Sequence, residues 1–123
     1  MIYYDLLSDR GILVVSPEGA LEKDDFEMLS ALVDPYIAEK GKLNGLMIEA
    51  EWFPGWDDFA ALVSHVQFVE NHHQHIGRVA VVSDSTVLSI VPHVASHFVR
   101  AEVRHFPYVA KDEALHWLET GHA

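Results

Sequence analysis

The sequence predicts a single α/β domain in which four helices pack on a mostly parallel sheet with one antiparallel edge strand. Three observations support this prediction. Short apolar runs alternate with stretches of helical periodicity, which is typical of strands joined by right-handed crossover helices. Only residues 8–11, with a turn at Asp9-Arg10-Gly11, separate the first two apolar runs, so these form an antiparallel hairpin. The length of 123 residues corresponds to one domain, residues 1–123.

The five predicted strands are short apolar runs bounded by turn residues. The fourth is a continuous apolar run, which is typical of a strand buried on both faces. The element order is ββαβαβαβα, with strands at residues 2–7, 12–16, 46–50, 78–83 and 101–106.

The four predicted helices are recognised by apolar residues spaced three or four apart. Gly41 is expected to end the first helix, and Pro92 lies inside the third. The helices are predicted at about residues 23–40, 57–75, 86–99 and 111–119. The predicted buried stripe of the second helix comprises Phe59, Leu62, Val63, Val66 and Val69.

Composition excludes several classes of function. Eight basic residues stand against 19 acidic ones, and the formal net charge is −11. That balance argues against a nucleic-acid partner and against simple attraction to anionic lipid. The chain has no Cys, and neither a signal peptide nor a membrane-spanning run is visible. A cytoplasmic protein is therefore expected.

The central segment, residues 43–59, predicts where a ligand binds. A buried strand is followed by Pro54-Gly55 and then by a helix that begins at Asp57-Asp58. In open α/β sheets, ligands bind beyond the carboxyl ends of strands. The third helix should emerge at the same edge, and residues 85–99 include no charged side chain. An apolar site is therefore predicted between the loop and this helix, formed by Trp52, Phe53, Trp56, Phe59, Val87, Leu88 and Val91. The alternative is that the aromatic residues only complete the rim of the core.

Three motifs resemble the SpoIIAA-like family, which belongs with the STAS domains and is related to anti-sigma-factor antagonists. Residues 78–84 read RVAVVSD and resemble the family segment R-[IV]-A-V-V-G-D. Residues 101–106, AEVRHF, are similar to its strand A-E-[VI]-[RK]-x-F, and residues 113–118, EALHWL, to its closing helix E-A-x-x-W-L. Trp56 with its acidic neighbours matches the helix entry after the central strand. The resemblance implies a compact β/α fold with no known catalytic residues.

One departure from the antagonists concerns regulation. They carry a phosphorylatable Ser between the central strand and the next helix, whereas residues 51–58 contain neither Ser nor Thr. The Asp84-Ser85 pair follows the next strand instead. Phosphorylation by the antagonists' route is therefore not expected here.

Other chemistry has weaker support. His93 and His97 are four apart on one predicted helix, but no adjacent Glu or third ligand accompanies them. If they flank the mouth of the apolar site, their protonation near pH 6 would favour carboxylate ligands. His72, His73 and His75 suit a helix C-terminus better than a metal site. A Ser-His-Asp triad could use Ser83 or Ser85, but no G-x-S-x-G elbow is present. No catalytic residue, metal or cofactor is therefore expected.

The sequence best fits a non-catalytic, STAS-like domain that binds an apolar or lipid-like small molecule and makes peripheral contact with a membrane. The alternative is a regulatory module that binds another protein, and the third reading is a small hydrolase or a histidine–metal protein. The uncharged third helix also predicts a homodimer, because an isologous contact would bury that surface in both copies.

Overall fold

A five-stranded sheet with helices on both faces forms the protein, and the computed structural model describes residues 1–122. The strands lie side by side in chain order, and they are β1 (Ile2–Leu7), β2 (Ile12–Pro17), β3 (Leu43–Glu49), β4 (Ile76–Val82) and β5 (Glu102–Phe106). β1 pairs antiparallel with β2, whereas every later pair is parallel. The predicted α/β fold, with a mostly parallel sheet and one antiparallel edge strand, is thus confirmed.

Within residues 1–122, six helical segments connect or follow the strands. They are α1 (Lys23–Lys40), α2 (Phe59–His72), a 3₁₀ turn (His73–His75), α3 (Thr86–Ser89), α4 (Val91–Ala95) and α5 (Lys111–Thr120). The long helices begin at caps that the sequence supplies. Asp58 accepts a hydrogen bond from the N–H of Ala61 at 2.9 Å, and Asp25 accepts one from the N–H of Glu22 at 2.8 Å.

The hairpin that opens the chain turns at Gly11. The N–H groups of Arg10 and Gly11 both donate to the carbonyl of Leu7, at 3.0 and 2.9 Å. Gly11 has φ of 70°, and a Cβ atom there would lie 2.6 Å from Nδ2 of Asn44. Glycine is therefore required both for its backbone conformation and for the close approach of Asn44.

The sheet is buried on both faces, because successive side chains of a strand point to opposite sides. In β3, Leu46 joins the core beneath α1, which includes Phe26. Met47, the next residue, joins the core beneath α5, which includes Trp117. Two apolar layers therefore hold the helices, and the continuous apolar run of β4 follows from this arrangement.

The predicted buried stripe of α2 is wrong for three of its five residues, whereas Leu62 and Val69 are half-buried. Phe59 is 77% exposed and Val66 is 55% exposed, and Val63 is exposed as well. The helix instead turns its Ala61, His65, Phe68 and His72 face towards the interior. Contacts with α1 determine this orientation: His65 stacks on Phe26 with ring centroids 4.8 Å apart, and Nε2 of His72 lies 2.7 Å from Oδ1 of Asp34.

The single third helix predicted at residues 86–99 is also wrong. Two short helices, α3 and α4, meet at Ile90, and α4 ends at Ala95. Pro92 lies in the first turn of α4, where backbone N–H groups have no intrahelical acceptor. The missing N–H of proline therefore costs no helical hydrogen bond. His93 lies within α4, but His97 lies beyond its end, so the two histidines do not share a helix face.

Candidate ligand-binding site

A cavity of about 380 Å³ lies on the α1 face of the sheet. Its floor comprises side chains that project from β3, β4 and β5, namely Leu46, Ile48, Val79, Val81 and Val103. Its walls come from α1, α2, α3, α4 and the segment between β3 and α2. The volume falls within the usual range for small-molecule sites, roughly 300–1,000 Å³.

The cavity exists because α2 packs on α1 rather than on the sheet. α1 covers the part of the sheet formed by β1 to β3, and Phe26, Leu29 and Val33 fill the core there. β5 on this face is covered by α3 and α4, which are only four and five residues long. An apolar space therefore remains between α2 and these short helices.

Trp56 and Val87 line the cavity and are also exposed, so they mark its mouth, where the cavity meets solvent. Backbone hydrogen bonds hold the Trp56 side of the mouth. The N–H of Leu21 donates to the carbonyl of Gly55 at 2.9 Å, and the N–H of Asp57 donates to the carbonyl of Leu21 at 2.7 Å. Phe53 packs edge-on against Trp56, with centroids 5.4 Å apart.

The polar side chains around the cavity are histidines and the indole of Trp56. The Nε1–H of Trp56 donates to Nδ1 of His65 at 3.1 Å. Because Nδ1 accepts this bond, the proton of neutral His65 is on Nε2. Burial lowers the pKa of His65 from its ordinary value of 6.5, so the uncharged form is favoured.

The other two lining histidines are engaged with protein groups. Nδ1 of His72 lies 2.7 Å from the carbonyl oxygen of Phe68, and its Nε2 lies against Asp34. Nδ1 of His73 accepts a hydrogen bond from the backbone N–H of Arg100 at 2.9 Å. No Lys, Arg, Asp or Glu of residues 1–122 lines the cavity. The space therefore suits an uncharged, mainly apolar molecule.

Five of the seven residues predicted to bind a ligand line this cavity: Phe53, Trp56, Val87, Leu88 and Val91. Trp52 and Phe59 lie outside the lining and are 66% and 77% exposed. Sequence reasoning missed the contributions of α1 and α2, above all Phe26, His65 and Phe68. The spacing of residues 61, 65, 68 and 72 was the available signal, because it is helical and includes aromatic rings.

The residues considered for other chemistry have different roles. His93 and His97 are exposed, and neither lines the cavity. Within residues 1–122, no group of three His, Asp or Glu side chains is arranged to hold a metal ion.

Ser83 and Ser85 are used in local structure. The hydroxyl of Ser83 donates to the carbonyl of Glu51 at 3.3 Å and accepts from the N–H of Ser85 at 3.0 Å. His105 contacts the carbonyl oxygen of Ser83, not its hydroxyl, at 2.7 Å. Ser85 caps α3 by accepting from the N–H of Leu88 at 3.4 Å. Neither hydroxyl is paired with a histidine as a triad requires.

Comparison with known proteins identifies the family. The family model described as SpoIIAA-like matches residues 12–119. The chain belongs to the SpoIIAA-like family. The match runs from β2 into α5 and includes the cavity residues on β3, β4 and β5. It confirms the resemblance in the sequence motifs.

A solved structure shows the same SpoIIAA-like fold. It is an uncharacterized protein of the DUF3478 family from Shewanella loihica PV-4, with a TM-score of 0.71 and 22% identity over 96% of this chain and 92% of that one. None of the curated proteins matches the chain. The SpoIIAA-like fold is that of a STAS-like domain, a class that is generally non-catalytic.

Proposed function

We propose that this SpoIIAA-like protein is a non-catalytic binding domain for an apolar, lipid-like small molecule held in the cavity beneath α2, α3 and α4. The observation that carries this proposal is the cavity itself, with its volume of about 380 Å³ and no charged residue of the described chain in its lining. Five residues predicted from sequence lie at or near its mouth, which gives independent support from the pattern of the chain.

Energetics favour an occupied cavity. The lining is almost entirely apolar, so a ligand that fills the space removes apolar surface of the protein and of the ligand from water. Each methylene group transferred from water contributes about 0.8 kcal/mol, so a chain of ten carbons offsets most of the cost of association.

Two exposed apolar stripes support peripheral contact with a membrane. Phe59, Val63 and Val66 are spaced by four and three residues along α2, and all are exposed. The second stripe crosses α3, α4 and the following turn, and comprises Val87, Ile90, Val94 and Phe98. The net charge of −11 favours a bilayer of neutral lipids over an anionic one. Among residues 1–122, no helix is both long and apolar enough to cross a membrane.

The same stripes support a second candidate function, in which α2 or α3–α4 contacts a protein. That partner is either another copy of this chain or a regulatory target. Large exposed apolar patches are typical of interaction surfaces. Light scattering at micromolar concentration tests the first case: a homodimer gives twice the chain mass of 13.8 kDa. A monomer that still binds apolar ligands would contradict the homodimer and would support the cavity as the functional site.

Displacement of Nile red, an uncharged apolar dye, tests the main proposal. We expect saturable binding of one dye molecule per chain and its displacement by medium-chain lipids. Leu88→Asp places a carboxylate in the cavity wall and should abolish binding, because an unpaired charge there loses its hydration. Val109→Asp is the matched control, since Val109 is 91% exposed and outside the lining. Equal binding by both variants would contradict the proposal.

A further inference from the structure

We propose that His65 receives the polar end of the ligand, and that this end is an uncharged hydrogen-bond acceptor such as the carbonyl of an ester, ketone or amide. The inference rests on the proposed function, because it assigns a chemical class to the molecule that the cavity holds. It adds a specificity-determining residue that lies on α2, outside the loop and third-helix segments that the sequence indicated.

The orientation of the His65 ring is fixed on two sides. Its plane stacks on Phe26 with an interplanar angle of 17°. Its Nδ1 atom accepts the indole N–H of Trp56, which has no lone pair to offer and is therefore a donor only. The imidazole thus holds one tautomer, with its remaining proton on Nε2.

Within residues 1–122, the one side-chain hydrogen bond of His65 is the bond that its Nδ1 accepts from Trp56, so its Nε2–H is without a protein partner and is accessible to water or to a ligand atom. It belongs to a residue that lines an otherwise apolar space. A donor in such a place is stabilised only when an acceptor arrives with the ligand or with water. The cavity is therefore complementary to a molecule that is apolar along its length and carries an acceptor at one end.

His73 needs to be distinguished from His65, because it also lines the cavity and also accepts an N–H at Nδ1. Its Nδ1 accepts from the backbone N–H of Arg100, whereas Nδ1 of His65 accepts from the side chain of Trp56, which also lines the cavity. His73 follows the end of α2, about two turns away from His65. His65 lies beside Trp56 at the mouth of the cavity. The polar end of a ligand is expected at the mouth, while its apolar chain lies deeper in the cavity.

The charge of the lining favours an uncharged acceptor over a carboxylate. The lining contains no Lys or Arg of the described chain, and burial lowers the pKa of the His65 imidazole. A carboxylate would enter this space without a cation to replace its hydration, which is far more costly than burial of a carbonyl. One neutral N–H donor is sufficient for a carbonyl oxygen, which needs only one hydrogen bond to compensate its transfer.

Binding of three medium-chain compounds tests the inference: methyl octanoate, octanoate and nonane, each as a competitor of Nile red at pH 7.5. We expect methyl octanoate to bind about five- to tenfold more tightly than nonane, which corresponds to one net hydrogen bond. Octanoate should bind most weakly of the three. His65→Phe keeps a ring against Phe26 and should remove the preference for the ester while leaving nonane unchanged.

His93→Phe is the matched control, because His93 is exposed and outside the lining, and we expect it to retain the preference for the ester. Three results would overturn the assignment: equal binding of ester and alkane by the wild-type protein, tightest binding of octanoate, or loss of the ester preference in His93→Phe alone. If none of the compounds displaces Nile red and the dye itself does not bind, the proposed function fails. Binding of all three compounds without discrimination refutes only the role of His65.

A nitrogen-15 spectrum of the histidine side chains gives a second measurement that does not depend on a variant. In the free protein we expect Nδ1 of His65 to have the chemical shift of an unprotonated nitrogen that accepts a hydrogen bond. We expect Nε2 to have the chemical shift of a protonated nitrogen. Methyl octanoate should move the Nε2 resonance, and nonane should not. Ester binding that leaves both resonances of His65 in place would show that the polar end is held elsewhere.

Discussion

The indole N–H of Trp56 donates to Nδ1 of His65 across 3.1 Å, and this bond joins the segment after β3 to helix α2 at the mouth of the cavity. It explains how an exposed tryptophan is held in place while one of its edges faces an apolar space. It also makes the protonation state of one histidine important for the local structure, because a protonated Nδ1 cannot accept the bond.

Stability should therefore fall at acidic pH through His65. Burial is the cause of the lowered pKa of this imidazole, so the unfolded chain takes up a proton near pH 6.5 before the folded chain does. The unfolded state then binds more protons, and the free energy of unfolding decreases as the pH falls below that value. Above it, His65 is neutral in both states and has no such effect.

Urea unfolding at pH 7.5, 6.5 and 5.5 measures this contribution. The chain has nine histidines, so the informative quantity is the difference between wild type and His65→Phe. We expect that difference to move in favour of the variant as the pH falls. A difference that stays constant, or moves in favour of the wild type, would show that His65 is protonated without cost in the folded protein.

Filling the cavity should stabilise the free protein and weaken ligand binding. Ala95 lines the cavity from α4 and is only half-buried, so Ala95→Leu should raise the free energy of unfolding by about 1 kcal/mol without ligand. Nile red affinity should fall in the same variant. Ala80→Leu is the control in the filled core beneath α5, where overpacking should destabilise by about 1–3 kcal/mol. Destabilisation of similar size in both variants would mean that the space beside Ala95 is not open.

Contact with neutral bilayers should depend on the exposed apolar stripes. Phe98 is 76% exposed, so Phe98→Ser should reduce cosedimentation with phosphatidylcholine vesicles and leave the fold intact. Salt should have little effect, because the contact is apolar. Val109→Ser provides the control on an exposed residue outside these stripes. Vesicle binding that disappears at high salt, or that Val109→Ser reduces equally, would argue for a different surface.

Much of the fold was predictable because strand and helix periodicities alternate along the chain, and because Asp58 and Ser85 supply caps where helices begin. The face of α2 was not predictable from apolarity alone. Phe59 and Val66 are apolar yet exposed. His65 and His72 face inward because the ring of Phe26 and the carboxylate of Asp34, both on α1, contact them. Tertiary contacts between α1 and α2 determine which face of α2 is buried, and hydrophobic periodicity along the sequence does not predict such contacts.

Part of the site was predictable from the arrangement of the parallel strands. The carboxyl ends of neighbouring parallel strands meet at one edge, which placed Phe53 and Trp56 near Val87 and Leu88. His93 and His97 were expected to share a helix face, but the break at Ile90 and the end of α4 at Ala95 separate them. The contribution of His65 depends on its contacts with Phe26 and Trp56, which are distant from it in sequence or lie on another element.

The most direct test of ligand binding in the cavity is an isotope-filtered NOE spectrum with labelled protein and unlabelled methyl octanoate. We expect cross-peaks from the chain of the ester to the methyl groups of Val81, Val103 and Leu88, which lie on the floor and wall of the cavity. Cross-peaks confined to exposed methyl groups such as those of Val66 and Val94, or none at all, would contradict the account.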